Sequence, residues 1–335
     1  MKIAHHDCAK KVFVIAEVGN NHEGNFSLAE DLIGLAARAG ADAVKFQTII
    51  PEKLVAASEK ERIQVLKQFQ FSYDQFKKLS QTAKKENILF LSTPFDLESV
   101  DALKSIVPAL KIASGDNNYL ELLEAAAKTG LPVILSGGMS TFSDLQSKRD
   151  FIQAIWKNLK IKQSLAILHC VTSYPVSPEF ANLGAIRELA KLDITIGYSD
   201  HTLGIQACVL AVALGSRIIE KHFTVSKKHS TFRDHQLSAD PADLSEMIQH
   251  IREAEILLGD GIKKIETCEV PFIKAARRSL AVKKTVQKGE KILKEHLTCL
   301  RPASGLLPGD ESKIIGRKSK DDLTLGQILT ESHFE

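Results

Sequence analysis

The chain has 335 residues, 44% of them apolar and 25% charged, enough for one large α/β domain and a small appendage. Its net charge of +3 is too small to point to nucleic acid or an anionic membrane as the main partner, so neither is expected. No apolar run nears a bilayer span, no signal-peptide core follows Met1, and five scattered cysteines form no CxxC pair, so a reduced, cytoplasmic protein is expected.

In chain order, "MKIAHHDCAKK" reads as a mobile terminus. Then short β-rich runs alternate with amphipathic helical stretches. The strands are expected at 12–19, 43–48, 88–95, 109–114, 133–138, 165–171, 195–200 and 217–223. Helical patterns fall between them, as at 27–40, with Ser27 as N-cap and Gly40 as C-cap, and at 119–130, 203–215 and 241–259. Continuous apolar strands separated by helices mean a parallel sheet covered by helices. Eight such repeats, with no GxGxxG after the first strand, favour a closed (β/α)8 TIM barrel over an open dinucleotide-binding sheet. The barrel is expected to span 1–259, a linker 260–276, and a small β-rich domain 277–335. This last segment holds strands in "SLAVKK" and "LTCLRP", turns in "QKGE" and "LLPGD", and a short helix near "TLGQIL". Its 12 Lys and Arg against 8 Asp and Glu give it a charge of +4.

In such barrels the site forms where strands end and loops begin. Here every strand ends in polar residues. The first supplies Glu17; the second Lys45 and Gln47, on one face because strand side chains alternate. The third ends in Ser92, Thr93 and Asp96, the fourth carries Lys111, Ser114 and Asp116, and the fifth ends in Ser136. The sixth gives His169, Thr172 and Tyr174; the seventh Ser199, Asp200 and His201; the eighth Glu220 and His222. Lys45 and Lys111 are cations on apolar strands, and with Thr93, Ser114, Ser136 and Ser199 as donors they suit a phosphate or a carboxylate. The alternative, that each lysine only pairs with a barrel carboxylate, is expected of one lysine and not of both. His201 and His222 end neighbouring strands, so their rings can converge on a Lewis-acid divalent metal such as manganese. The competing reading of that pair is two hydrogen-bonded core histidines. Glu17, next to them in a closed barrel, can serve as base or orienter.

The motifs "IAEVGNNHEG", "AVKFQT", "LSTPFD", "KIASGD", "LHCVTSYP", "IGYSDHTLG" and "IEKHFT" also resemble, in order and spacing, the sialic acid synthase family. Its members condense phosphoenolpyruvate with an N-acylated amino sugar. "RRSLAVKKTVQKGEKI" followed by "LRPASGLLP" resembles their C-terminal SAF, or antifreeze-like, domain. The resemblance implies that Lys45, Thr93, Lys111, Ser114, Ser136, Thr172 and Ser199 bind phosphoenolpyruvate, and that His201 and His222 hold Mn2+, with Mg2+ or Co2+ as substitutes. It implies that Glu17 is catalytic, with Asp234 beside it, and that Gln47, Asp116, Tyr174, Asp234 and Arg301 line the sugar site. It further implies a homodimer in which Arg301, rather than Arg277 or Arg278, reaches the partner's sugar. The chain departs from the family at Phe232 and Arg233, where Gly-Pro is common, at Asp116, where several members have glutamate, and at Gly137, where threonine is common. The first departure leaves the acceptor open: an N-acetylmannosamine-like sugar, or the sugar of legionaminic or pseudaminic acid. A Schiff-base aldolase using Lys45 or Lys111, and a non-catalytic barrel that binds anions or sugars, are the alternatives outside this chemistry.

Overall fold

The computed structural model describes residues 1–335, with the side chain of Arg233 set apart. The chain divides into two compact units, Met1–Gly259 and Asp260–Glu335. The first unit contains eight parallel strands. They are β1 (Phe13–Gly19), β2 (Ala43–Thr48), β3 (Leu89–Pro94), β4 (Leu110–Ile112), β5 (Val133–Ser136), β6 (Leu165–Cys170), β7 (Thr195–Asp200) and β8 (Ile218–His222). Ladders link β3 to β2 to β1 to β8, and then run back through β7, β6 and β5 to β4. β3 lies beside β4, so the sheet curls round as a (β/α)8 barrel.

Strand alternation sorts the apolar residues into two cores. Val14, Ala16, Val44, Phe46, Ile167 and Ile219 face outward and pack under the helices. Phe13, Ile15, Ala43, Leu91, Ile134, Leu168 and Ile218 fill the lower half of the barrel interior. The first helix, Phe26–Arg38, shows how each crossover is built. Ala29, Leu32, Ile33 and Ala36 recur at helical spacing and are buried. Fully burying Leu32 and Ile33 stabilises by about 1.5–3 kcal/mol each. Its N-cap is Asn25, not Ser27: the Asn25 side chain accepts from Leu28 N–H at 3.1 Å. Gly40, at φ +92, turns the chain out of the helix just past Ala39.

The amino terminus is ordered, against the expectation of a mobile tail. Lys2–Ile3 pairs with His6–Asp7 as a hairpin, and Ile3 and Cys8 join the interior cluster beneath Phe13 and Ile218. Arg217 fastens it by donating to the carbonyls of Cys8 and Ala9 at 2.8 and 2.7 Å.

In the second unit, Val270–Ala276 forms a helix within the stretch that reads as a linker. Antiparallel strands β9 (Ser279–Val282) and β10 (Leu297–Leu300) follow, over a core that includes Leu280, Val282, Ile292, Ile314 and Phe334. No helix forms near "TLGQIL". Gly326, at φ +82, makes a turn there, and Ile328 bridges to Ala281.

Candidate active site

The upper half of the barrel interior continues the inward-facing rows with polar side chains. Glu17 follows Ile15 by two, Lys45 follows Ala43, Thr93 follows Leu91, Ser136 follows Ile134, and Glu220 follows Ile218. The ladder places Glu17 opposite Lys45 on one side and opposite His222 on the other. A cavity of about 550 Å³ opens above this layer. Every site residue expected in the first unit lines it, including Gln47, Ser114, Asp116, Thr172, Tyr174, Ser199, His201 and Asp234. Arg301 lies in the second unit, exposed, just past β10.

The same parity removes other strand-end candidates. Ser92 faces outward and bonds to Thr48 Oγ1 at 2.7 Å. Asp200 faces outward too, accepting from Lys221 Nζ at 2.7 Å and Tyr198 Oη at 2.9 Å. His169 stacks on Tyr198 and bonds to the Ala181 carbonyl. Asp96 caps the helix Leu97–Leu103 through Ser99 N–H.

At the cavity floor, four buried charges interlock. Lys45 Nζ lies 2.6 Å from Glu17 Oε2 and 3.7 Å from Glu220 Oε2, and donates to Thr93 Oγ1 at 3.1 Å. Lys111 Nζ lies 3.5 Å from Glu220 Oε1 and donates to Ser136 Oγ at 2.6 Å. Both lysines therefore have carboxylate partners, where the sequence suggests at most one. Burial opposes the Glu220 charge, but Lys111, Lys45 and the Ser199 hydroxyl outweigh it and hold that carboxyl at about 2. Burial dominates at Glu17 and raises its carboxyl despite Lys45. It also lowers the Lys111 amine, whereas Glu17 and Glu220 outweigh it at Lys45 and raise that one. Two carboxyls one layer apart are thus driven in opposite directions, the arrangement that separates a proton-transfer group from a fixed charge.

The imidazoles of His201 and His222 sit 5.4 Å apart, with Tyr174 packed 4.3 Å from His201. His201 Nδ1 bonds to the Val171 carbonyl at 2.8 Å, which puts the lone pair on Nε2. His222 Nδ1 is buried without a hydrogen-bond partner, and burial with His201 and Lys45 nearby holds its ring well below the usual imidazole range. Among the described residues, no group of three or more His, Cys, Asp or Glu is arranged to hold a metal ion.

Further round the rim, burial pushes Asp116 up to about 6, with Lys111 opposing it. Asp234 is set by its loop. His235, fully buried, bonds through Nε2 to Glu23 Oε1 at 2.8 Å and through Nδ1 to Thr224 Oγ1 at 2.6 Å. Asn21 Nδ2 holds the same loop through the Phe223 carbonyl and Ser238 Oγ, each at 2.9 Å. The amides and acid that crowd the end of β1 therefore serve mostly to fasten the loop after β8. Phe232 packs 5.2 Å from Phe69, and the side chain of Arg233 lies outside the described residues.

Sequence reasoning left four polar or ionisable lining residues without a role: Asn20, Arg62, Cys170 and Glu220. Glu220 was legible, because it shares a strand face with His222. Cys170, two residues beyond Leu168, follows from parity. Arg62 carries no local signal, since it lies on a helix inside the loop after β2.

The sequence model of the NeuB family matches residues 32–263, more than half of the chain. The chain belongs to the NeuB family. The SAF domain model matches residues 277–335. Among NeuB-like relatives, the N,N'-diacetyllegionaminic acid synthase of Legionella pneumophila is 38% identical, covering 96% of this chain and 94% of its own. The pseudaminic acid synthase of Campylobacter jejuni is 35% identical over the whole of both chains. A crystal structure of N-acetylneuraminic acid synthetase from Leptospira borgpetersenii superposes with a TM-score of 0.74 at 40% identity, covering 78% of this chain and 90% of that one. Like its NeuB relatives, the chain is a carbon–carbon bond-forming transferase. No helix of the described residues is long and apolar enough to cross a membrane.

Proposed function

We propose that the enzyme condenses phosphoenolpyruvate with the open-chain form of an N-acylated hexosamine, giving a sialic acid-type nine-carbon keto acid and inorganic phosphate. One observation carries this reading: two buried ammoniums, two buried carboxyls and two imidazoles face one cavity at the carboxyl ends of the strands. Lys45 and Lys111, with Thr93, Ser114, Ser136, Thr172 and Ser199 around them, hold the phosphate and carboxylate of the donor. The Thr172 hydroxyl supports this role, being buried with no partner of its own. Gln47, Asp116, Tyr174 and Asp234 line the side where the acceptor sits.

The donor set fits a divalent metal, Mn2+ foremost and Mg2+ or Co2+ as substitutes. His201 offers Nε2, and His222 has a buried nitrogen that nothing in the chain satisfies. Bound by this pair, the ion would supply Lewis acidity to the acceptor's aldehyde oxygen. The rest is done by the chain. Lys45 and Lys111 fix the enol so that its methylene carbon faces the aldehyde carbon, and alignment alone can contribute about 7–11 kcal/mol. The new carbon–carbon bond forms and water adds to the former enol carbon, its two protons ending one on the aldehyde oxygen and one on the departing phosphate. Glu17, raised by burial and held by Gln47 Nε2 at 3.0 Å, takes the proton that this water loses. The bond from that carbon to the bridging oxygen breaks, and phosphate leaves with the oxygen, its charge met by the two ammoniums.

A homodimer, in which the partner subunit's tail brings Arg301 to the acceptor, completes the proposal; light scattering and Arg301→Ala kinetics test it. The chemistry is tested with donor labelled by heavy oxygen at the bridge and N-acylated hexosamines, with and without Mn2+. The label is expected in phosphate; label retained in the keto acid excludes this route. Borohydride trapping of a pyruvate adduct on Lys111 or Lys45 would point instead to a Schiff-base aldolase.

A further inference from the structure

Behind the two imidazoles, on the outward face of the barrel, lies an ion pair that the proposed chemistry does not use. The outward rows run Ile196, Tyr198, Asp200 on β7 and Ile219, Lys221 on β8, with Phe223 next. Apart from Asp200 and Lys221, all of these belong to the apolar core under the helices. The pair are register partners, each 1% exposed, and the residues that follow them are His201 and His222.

Together they close a clasp around His201. Lys221 Nζ donates to Asp200 Oδ2 at 2.7 Å and to the Thr202 carbonyl at 2.5 Å, so it grips the chain on both sides of that histidine. Asp200 Oδ1 accepts from Thr202 N–H at 2.8 Å, which folds residues 200–202 into a turn closed by a side chain. Tyr198 Oη and Cys208 Sγ, at 2.9 and 3.4 Å, complete the carboxylate's partners. Because Lys221 immediately precedes His222, one contact ties the backbones of both histidines together. A buried ion pair is a poor way to stabilise a core, since apolar side chains of similar volume commonly serve as well or better. Apolar side chains fill the neighbouring positions of the same rows, so stability alone does not account for two charges here.

Resting on the synthase reading above, in which His201 and His222 bind a divalent ion, we propose that Asp200 and Lys221 are positioning residues that set the placement of the two imidazoles and so the affinity for that ion. They touch neither reactant. Imidazole lone pairs are directional, and displacing either strand end takes its ring off the point the two share.

The test uses the full chain. Mn2+ binding is read from the paramagnetic resonance signal of the free ion, phosphoenolpyruvate binding by calorimetry without metal, and folding by circular dichroism and thermal unfolding. The double variant Asp200→Leu/Lys221→Met replaces the pair with apolar side chains. It is expected to unfold close to the parent's temperature, to bind phosphoenolpyruvate within about two-fold of the parent, and to lose about ten-fold or more in Mn2+ affinity. Asp200→Asn keeps the shape and removes the charge that holds Lys221. Its expected loss of about three-fold or more keeps the assignment testable should the double variant fail to fold. Mn2+ affinity within about two-fold of the parent's in both folded variants overturns the assignment. So does an equal loss of Mn2+ and phosphoenolpyruvate affinity, which marks general disruption of the barrel end. If the parent binds no Mn2+, or His222→Ala binds it as tightly, the metal reading fails and this assignment with it. If His222→Ala abolishes binding and the clasp variants do not weaken it, only the clasp fails.

Discussion

At the scale of single residues, burial decides which groups hold protons. His22 is fully buried, stacked 4.3 Å from Phe71, and accepts from Gly24 N–H through Nδ1. Burial lowers its ring from 6.5 to about 4. The unfolded chain binds this proton near 6.5 and the folded one only near 4, so the stabilisation is complete above 6.5 and is lost as pH falls through 4. The amount is about 3 kcal/mol. Urea unfolding of His22→Phe should show a shallower loss of stability between pH 7 and pH 4 than the parent chain, and equal slopes would refute this. Glu17→Gln, which keeps the shape and removes the proton-accepting oxygen, should lower kcat by about 100-fold or more with little change in Mn2+ affinity. Near-normal phosphate release would remove Glu17 from the chemistry. The cast of residues was largely legible in the sequence because polar side chains stand out at the ends of apolar strands. Which of them face inward was less so: Ser92, His169 and Asp200 sit one position out of phase with Thr93, Cys170 and Ser199, and alternation turns them away. The pairing of both lysines was hidden, since Glu220 meets them only once the barrel closes.

Among elements, the period of the apolar pattern located every barrel strand, while ends and caps moved by one to three residues. Asn25 displaces Ser27 as cap because the helix begins at Phe26, two residues before the start that a Ser27 cap implies. Asn25→Ala should cost about 1 kcal/mol of unfolding free energy, and Ser27→Ala much less; a reversed order in urea titrations would contradict the cap. The amino-terminal hairpin escaped notice because strands of two residues have no period to read. The turn after β5 makes a stricter demand. A Cβ on Gly138 would fall 2.2 Å from Thr172 Oγ1 and 2.7 Å from Ser114 Oγ, two hydroxyls of the proposed donor site. Gly138→Ala should therefore raise the KM for phosphoenolpyruvate about ten-fold or more while thermal unfolding stays close to the parent's. An unchanged KM would take that turn out of the donor site.

For the whole molecule, the two units correspond to two family matches, and the chemistry of the first is built from loops of one barrel end. The other end is stoppered, with Ile3 and Cys8 of the hairpin wedged beneath Phe13 and Ile218. A vessel closed at its base imposes a queue. In the proposed reaction the small trianion would descend to Lys45 and Lys111 before a sugar fills the neck above it, and the long product would clear that neck before the next cycle begins. Steady-state inhibition should show it: an unreactive sugar analogue is expected to be uncompetitive against phosphoenolpyruvate, and a competitive pattern would mean that the two reactants load in either order.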